Sequence, residues 1–142
     1  MALNYLLDTN TLSEPMRRKP NLQVLARLQR SGEQIAVAAT TWHELWFGLL
    51  RMPISAKRTA VEHFLLVIVQ AEIPILPYDA VAAEWFAQER ARLTLIGRTP
   101  SYPDGQIAAV AATNNLILVT RNTADFADFA GLRLENWFEP AA

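Results

Sequence analysis

LILVT, residues 116–120, is the clearest strand signal in the chain. The run carries no charge, and the polar stretch RNTADF (121–126) follows it at once. A short apolar run that ends in turn-forming residues is typical of a strand buried on both faces, and such strands belong to parallel sheets. The stretch therefore indicates an α/β fold.

Other segments repeat this pattern on both sides of LILVT. Strands are predicted at LNYLL (3–7), QIAVAA (34–39) and IPILP (73–77), and LRLENW (132–137) is a candidate last strand. Helices are predicted at 22–30, from Thr40-Thr41 towards Pro53, at 55–70, at 79–95 and at 101–112. Alternating strands and helices predict a central, mostly parallel sheet flanked by helices.

Length and composition restrict the class of protein. A chain of 142 residues suits one domain, predicted to span 1–142, and 51% hydrophobic with 19% charged residues is too apolar for disorder. The absence of cysteine excludes disulfides, thiolate zinc sites and thiol nucleophiles, and favours a reducing cytoplasm.

Charge and hydropathy exclude two further classes. ALNYLL (2–7) is short, lacks a basic flank and runs into Asp8, so it predicts neither a signal peptide nor a membrane span. The net charge of -1 and pI near 6.1 give no general electrostatic affinity for nucleic acid. Any contact with nucleic acid must be local.

Four acids lie where the predicted strands end or helices begin: Asp8, Glu44, Asp104 and Asp125. Ligands of open parallel sheets bind beyond the carboxyl ends of the strands, so these acids are candidates for one cluster. Helix capping is the competing interpretation. Thr41-x-x-Glu44 and Ser101-x-x-Asp104 have the spacing of a capping box, and Asn122-x-x-Asp125 nearly fits it.

Convergence of these carboxylates would require a cation, because like charges raise one another's pKa. Oxygen ligands without cysteine or histidine select Mg²⁺, for which Mn²⁺ can substitute. Such an ion can activate water and stabilise both oxygens of an in-line displacement, so phosphodiester hydrolysis is the expected reaction.

Four motifs in order resemble one known family: LLDTNTLSE (6–14), TTWHELWFG (40–48), PDGQIAAVA (103–111) and VTRNTADF (119–126). Together they are similar to the PIN-domain ribonucleases, specifically VapC-type toxins of type II toxin-antitoxin modules and their FitB-like branch. The resemblance covers essentially the whole chain. It implies a three-layer α/β sandwich and a magnesium-dependent endoribonuclease.

By this resemblance, Asp8, Glu44 and Asp104 match the acidic triad that binds Mg²⁺. A fourth acid follows the Thr-Arg pair directly in many members, but here that place holds Asn122 and the next acid is Asp125. Either Asn122 supplies a neutral ligand or orients water, or Asp125 turns inward. Both alternatives remain open.

Further residues beside these motifs are candidates for supporting roles. Asn10 would hydrogen-bond the Asp8 loop and Thr120 would lie at the mouth of the LILVT strand, although helix start and strand end explain them equally well. Arg121 and Arg98 are candidates for substrate phosphate contacts, with Arg121 better placed; a solvated surface role is the alternative.

Two helical segments are apolar nearly all round: WHELWFGLLRM (42–52) and VEHFLLVIVQ (61–70). Such helices must be covered, either by one another or by a second copy or protein partner. The resemblance implies both a homodimer and a cognate antitoxin. It does not identify the RNA target.

Two other functions compete with that of a nuclease. A phosphorylation-receiver domain needs an acid pair after the first strand and a lysine after a late one, whereas Asp8 precedes threonine and the only lysines are Lys19 and Lys57. A catalytically degenerate PIN-fold module that holds antitoxin or RNA without cleavage is the alternative that Asn122 keeps open.

Overall fold

The computed structural model describes residues 2–140 as one sheet covered by helices; Met1 and residues 141–142 of the predicted domain lie outside the described residues. The sheet contains, within that range, β1 (Tyr5–Leu7), β2 (Ile35–Ala38), β3 (Ile75–Leu76), β4 (Ile117–Val119) and β5 (Leu134–Glu135). Every strand pair is parallel, and the order is β3-β2-β1-β4-β5. The predicted α/β class is confirmed.

Seven α-helices lie between the first and last strands of the described chain. They are α1 (Thr9–Ser13), α2 (Leu22–Ser31), α3 (Ala39–Leu50), α4 (Ala56–His63), α5 (Ala80–Leu95), α6 (Tyr102–Thr113) and α7 (Thr123–Phe126). Short 3₁₀ turns occupy Glu14–Met16 and Gly32–Gln34, and a π-helical segment spans Phe64–Gln70. No helix among residues 2–140 is long and apolar enough to cross a membrane.

The central strands bury side chains on both faces of the sheet. Leu6 packs with Leu118 in one hydrophobic cluster, whereas its neighbour Leu7 packs with Val119 in a second. Successive strand residues point to opposite faces, so a strand buried on both sides reads as a continuous apolar run. The three-layer arrangement follows from this, with α6 in the first cluster and the π-helical segment in the second.

The structure corrects one predicted helix start. Helix α3 begins at Ala39 after an extended Ala38 that makes no side-chain capping bond, so Glu44 lies in its second turn. The capping-box interpretation of Thr41 and Glu44 is therefore wrong. The Thr41 hydroxyl is buried and has no hydrogen-bond partner among the described residues.

The predicted helix at 55–70 is also modified, because it consists of α4 followed by the π-helical segment. The expectation that the two apolar segments pack on one another is confirmed in part. Leu65 and Val69 join Leu49 of α3 in a shared buried cluster. Other apolar side chains of these segments and the loop after α3 remain exposed: Phe47, Leu50, Ile54, Leu66, Val67 and Ile68.

Candidate active site

Asp8 is the most deeply placed acid of the predicted cluster. It follows β1, adopts an extended backbone and caps α1, with Oδ1 accepting a hydrogen bond from the Thr11 N–H at 3.1 Å. Its Oδ2 accepts a 2.6 Å hydrogen bond from the Thr120 hydroxyl, which lies at the end of adjacent strand β4. Both side chains are buried, so the Asp8 carboxylate is held in one orientation.

Glu44 approaches the same end of the sheet from α3. Its Oε1 accepts a 3.2 Å hydrogen bond from the Thr9 hydroxyl in the first turn of α1. One turn before Glu44 on the same helix face, the Thr40 hydroxyl lies 2.9 Å from Oε1 of Gln106. These contacts link the helix that carries Glu44 to α1 and to the start of α6.

Asp104 lies in the first turn of α6. The N-terminus of this helix is at the end of the sheet where the parallel strands have their carboxyl ends. The Ser101 hydroxyl caps this helix by accepting a 3.3 Å hydrogen bond from the Asp104 N–H. The half-buried Asp104 carboxylate is next to Gly105, and a Cβ on Gly105 would overlap the Phe86 ring of α5. Close packing of α5 on α6 thus fixes the backbone beside Asp104.

The acids repel one another across the site. Burial raises the pKa of Glu44, a Thr9 hydrogen bond opposes that rise, and the charges of Asp104 and Asp8 add to it. Burial likewise raises the pKa of Asp104 against the effect of its Ser101 hydrogen bond, with further increases from Asp125 and Asp8. The cluster therefore carries negative charge that its surroundings do not neutralise.

The donor set fits a hard divalent cation. In the described part of the chain, ion pairs join Arg17 to Glu14, Arg27 to Glu135, Arg92 to Glu89 and Arg98 to Asp128, and none reaches Asp8, Glu44, Asp104 or Asp125. Across residues 2–140, no three acidic or histidine side chains lie close enough together to bind one ion in this conformation. Carboxylates repel one another where no cation lies between them, and oxygen-only donors are the type that hard divalent cations bind.

Asn122 and Asp125 occupy different positions beside the acids. The Asn122 backbone N–H donates to the Thr120 hydroxyl at 3.0 Å, while its side chain is exposed and caps nothing in α7. Asp125 lies in the first turn of α7, and its charge acts on Asp104. Of the two, Asp125 contributes charge to the cluster, and Asn122 supports Thr120 through its backbone.

The remaining predicted residues lie around the edge of the site. Asn10 is exposed and, among the described residues, does not hydrogen-bond Asp8, whose two oxygens already accept bonds from Thr11 and Thr120. Arg98 forms a 3.2 Å ion pair with Asp128. Arg121 follows Thr120, is exposed, and holds its guanidinium carbon 4.6 Å from the centre of the Phe138 ring.

Several supporting residues escaped the sequence analysis. Thr9 hydrogen-bonds Glu44, and Gln106 hydrogen-bonds Thr40 of the helix that carries Glu44. A hydroxyl or amide side chain near a helix start gives no distinctive sequence signal of such a role. Glu14 is buried, and its Oε1 accepts a 3.2 Å hydrogen bond from the Asn21 N–H. The buried Glu89 pairs with Arg92, and their i, i+3 spacing was the available signal.

Comparisons with known proteins point to one family. The family model described as PIN domain matches residues 5–132. The chain is 33% identical over 136 residues to "Ribonuclease VapC2" of Haemophilus influenzae, covering 95% of this chain and 98% of that protein. It is 36% identical over 127 residues to "Toxin FitB" of Neisseria gonorrhoeae, covering 85% and 89%. The solved "Structure of FitAB bound to IR36 DNA fragment" contains a chain with TM-score 0.89 and 28% identity, covering 97% of this chain and 98% of that one.

Proposed function

The chain belongs to the PIN-domain family, and from this membership we propose that it is a metal-dependent endoribonuclease acting as the toxin of a toxin-antitoxin module. The observation that carries the proposal is the group of acids at the carboxyl edge of the sheet, which have no cationic side chain paired with them within residues 2–140. We take residues 1–142 as a single PIN domain.

Asp8, Glu44 and Asp104 would hold Mg²⁺, with Mn²⁺ as a substitute, and Asp125 would add negative charge. When bound, the ion neutralises developing charge on the phosphate and lowers the pKa of water. Thr120 and Thr11 keep the Asp8 carboxylate aimed at the site, and Thr9 does the same for Glu44. The reaction is addition of water across an RNA phosphodiester bond.

Arg121 is the residue we assign to the RNA backbone. It is exposed, follows the Thr120 that touches Asp8, and lies over the Phe138 ring, which limits its motion. No carboxylate pairs with Arg121 among the described residues, so its guanidinium is available for a charge-assisted bond to phosphate. Asn122 would orient water or substrate from its exposed position beside it.

We propose two protein partners, a cognate antitoxin and a second copy of the chain. Phe47 and Leu50 of α3 and Leu66 and Val67 of the π-helical segment are exposed apolar side chains, and we propose them as contacts for a protein partner. The similarity of the chain to a protein named toxin FitB supports the proposal of an antitoxin. Analytical sedimentation of the wild-type chain and of a Leu50 variant would test the homodimer. We place the activity in the cytoplasm, where RNA substrates occur.

Cleavage of total bacterial RNA tests this function. The purified chain is incubated with Mg²⁺, with Mn²⁺ and with chelator, beside Asp8→Ala and Asp104→Asn. We expect discrete products that need metal and disappear in both variants. A folded wild-type chain that cleaves no RNA and gains no thermal stability from metal would instead favour the non-cleaving binding module.

A further inference from the structure

A small polar cavity lies beside the acid cluster and has no role in the mechanism above. Its volume is about 250 Å³, and its lining includes Asp104, Asp125, Arg98, Asp128 and Phe129. This volume is below the range of about 300–1,000 Å³ that is usual for whole small-molecule ligands. It suits one component of a longer substrate, such as a single base of an RNA strand.

The charges of the lining select a base over a phosphate. Three acidic residues line the cavity, and its Arg98 is already paired with Asp128, so negative charge predominates. A phosphate group would be repelled there, whereas N–H donors of a base would find acceptors. For Arg98, a contact with a base fits this environment better than the phosphate contact expected from the sequence.

The Arg98–Asp128 pair presents donors and acceptors side by side. The pair is joined by one 3.2 Å contact, with side chains 63% and 47% exposed, so the second Asp128 oxygen and further Arg98 N–H groups are accessible. The pairing edge of guanine carries N1–H and N2–H₂ next to O6, and no other standard base has two adjacent N–H groups there. A carboxylate beside a guanidinium is complementary to that order.

We propose that this cavity binds one unpaired guanine next to the cleaved bond, with Asp128 accepting from N1–H and N2–H₂ and Arg98 donating to O6. This inference rests on the proposed ribonuclease function because it specifies the substrate of the same site. The guanine plane would lie along the apolar part of the wall. Arg98 and Asp128 are therefore residues of specificity.

The wall that carries Asp128 is fixed by an ion pair whose carboxylate is buried and whose guanidinium is half-exposed. Glu89, 8% exposed, accepts two hydrogen bonds from Arg92 at 2.8 and 2.9 Å and one from the Ala130 N–H at 2.6 Å. Arg92 also donates to the Asp128 carbonyl oxygen at 2.8 Å. These bonds hold both neighbours of Phe129 against α5, so the cavity keeps its shape without a ligand.

Binding of short RNA to an Asp8→Asn chain tests this inference without requiring cleavage, since Asp8 does not line the cavity. The probes are oligouridylates carrying one central guanosine, inosine, adenosine or cytidine. We expect guanosine to bind about tenfold more tightly than adenosine or cytidine, with inosine intermediate because it lacks the N2 amino group. Asp128→Asn and Arg98→Gln should each remove this preference.

Arg133→Gln is the matched control, because Arg133 donates hydrogen bonds to Asn115. Asn115 precedes β4 and so lies at the end of the sheet opposite to the acids. Thermal melting confirms that each variant is folded. Equal affinity for all four probes, or a guanosine preference that persists in both variants, overturns the inference. Guanosine-selective binding without any RNA cleavage by the wild-type chain would sustain the inference and refute the nuclease, whereas cleavage without base preference would do the reverse.

Discussion

Asp104 combines two tasks at one position, because it lies in the first turn of α6 and its carboxylate faces other negative charges. Burial and the charges of Asp125 and Asp8 raise its pKa, so its ionised form costs folding free energy at neutral pH. We expect Asp104→Asn to lower cleavage by roughly a hundredfold or more and to raise the melting temperature at pH 7. Unfolding scans and RNA cleavage on the same samples measure both effects.

The pH dependence of that gain has a definite sign. A carboxyl whose pKa is higher in the folded chain destabilises the fold once pH exceeds its unfolded pKa, and the penalty is complete above the folded pKa. The advantage of Asp104→Asn should therefore vanish below about pH 4, near the ordinary Asp value of 3.8. An advantage that persists unchanged in acid would show that charge is not its cause.

Thr120 acts through Asp8 and so is a positioning residue. Thr120→Val keeps the shape but removes the 2.6 Å hydrogen bond to a buried carboxylate. We expect a loss of about 1.5–3 kcal/mol in the free energy of unfolding and roughly 10–100-fold weaker metal binding. Denaturant unfolding and metal titration measure these. Thr113→Val, whose hydroxyl bonds only the Ala109 carbonyl, is the control and should leave metal binding unchanged.

At the scale of elements, the contact between α5 and α6 controls where Asp104 lies. Gly105→Ala would bring a Cβ into the Phe86 ring, so α6 must shift or the ring must move. We expect about 1–3 kcal/mol of destabilisation together with reduced cleavage. The double variant Phe86→Leu, Gly105→Ala should recover part of both losses in unfolding and cleavage assays. Gly48→Ala, where nothing obstructs a Cβ, is the control.

The Glu89–Arg92 pair joins α5 to the loop after α7. Hydrogen bonds from Arg92 lower the pKa of Glu89 below its ordinary value of 4.5 despite burial. Such a group stabilises the fold above its unfolded pKa and loses that contribution as pH falls through its folded pKa. We expect Glu89→Gln to lower the free energy of unfolding at pH 7, with the difference from wild type shrinking below about pH 4.5. Denaturant unfolding across that pH range measures the difference. If the ion pair does not contribute, the difference in free energy of unfolding between the variant and wild type will not change with pH.

The sequence predicted elements well where hydrophobic patterning was unambiguous. LILVT and QIAVAA became strands because both faces are buried, although each strand is shorter than its apolar run. The start of α3 was missed because Ala38 provides no capping side chain to mark it. The π-helical segment was missed because a uniformly apolar run carries no clear period.

Patterning located the acids of the site better than their partners. Asp8, Glu44, Asp104 and Asp125 were identified from their places after strands or at helix starts, and they influence one another electrostatically. Glu89 was overlooked, since an acid in a mixed helix ordinarily faces solvent. Its carboxylate accepts a hydrogen bond from the Ala130 N–H, which is distant in sequence and reaches it only in the folded chain.

For the whole molecule, cation binding and folding should be linked. The acids repel one another, so we expect a cation to bind between them only in the folded chain. Such binding stabilises the fold by mass action, by about 2.7 kcal/mol when the ion concentration is a hundred times its dissociation constant. We expect Mn²⁺ or Mg²⁺ to raise the melting temperature of wild type by several degrees. Asp8→Asn should reduce that rise, whereas Glu33→Gln, far from the acids, should not. Equal rises in all three proteins would place the ion elsewhere.

The position of β1 in the middle of the sheet has a consequence for synthesis on the ribosome. Its neighbour β4 lies more than a hundred residues later in the chain. The ribosome therefore synthesises Thr120, whose hydroxyl orients Asp8, long after Asp8 itself. A nascent chain that has not yet exposed β4 cannot bring Thr120 to Asp8, however well its first helices have formed. A fragment whose translation stops before β4 should therefore lack an oriented Asp8, and we expect the proposed activity only from chains that are almost fully made.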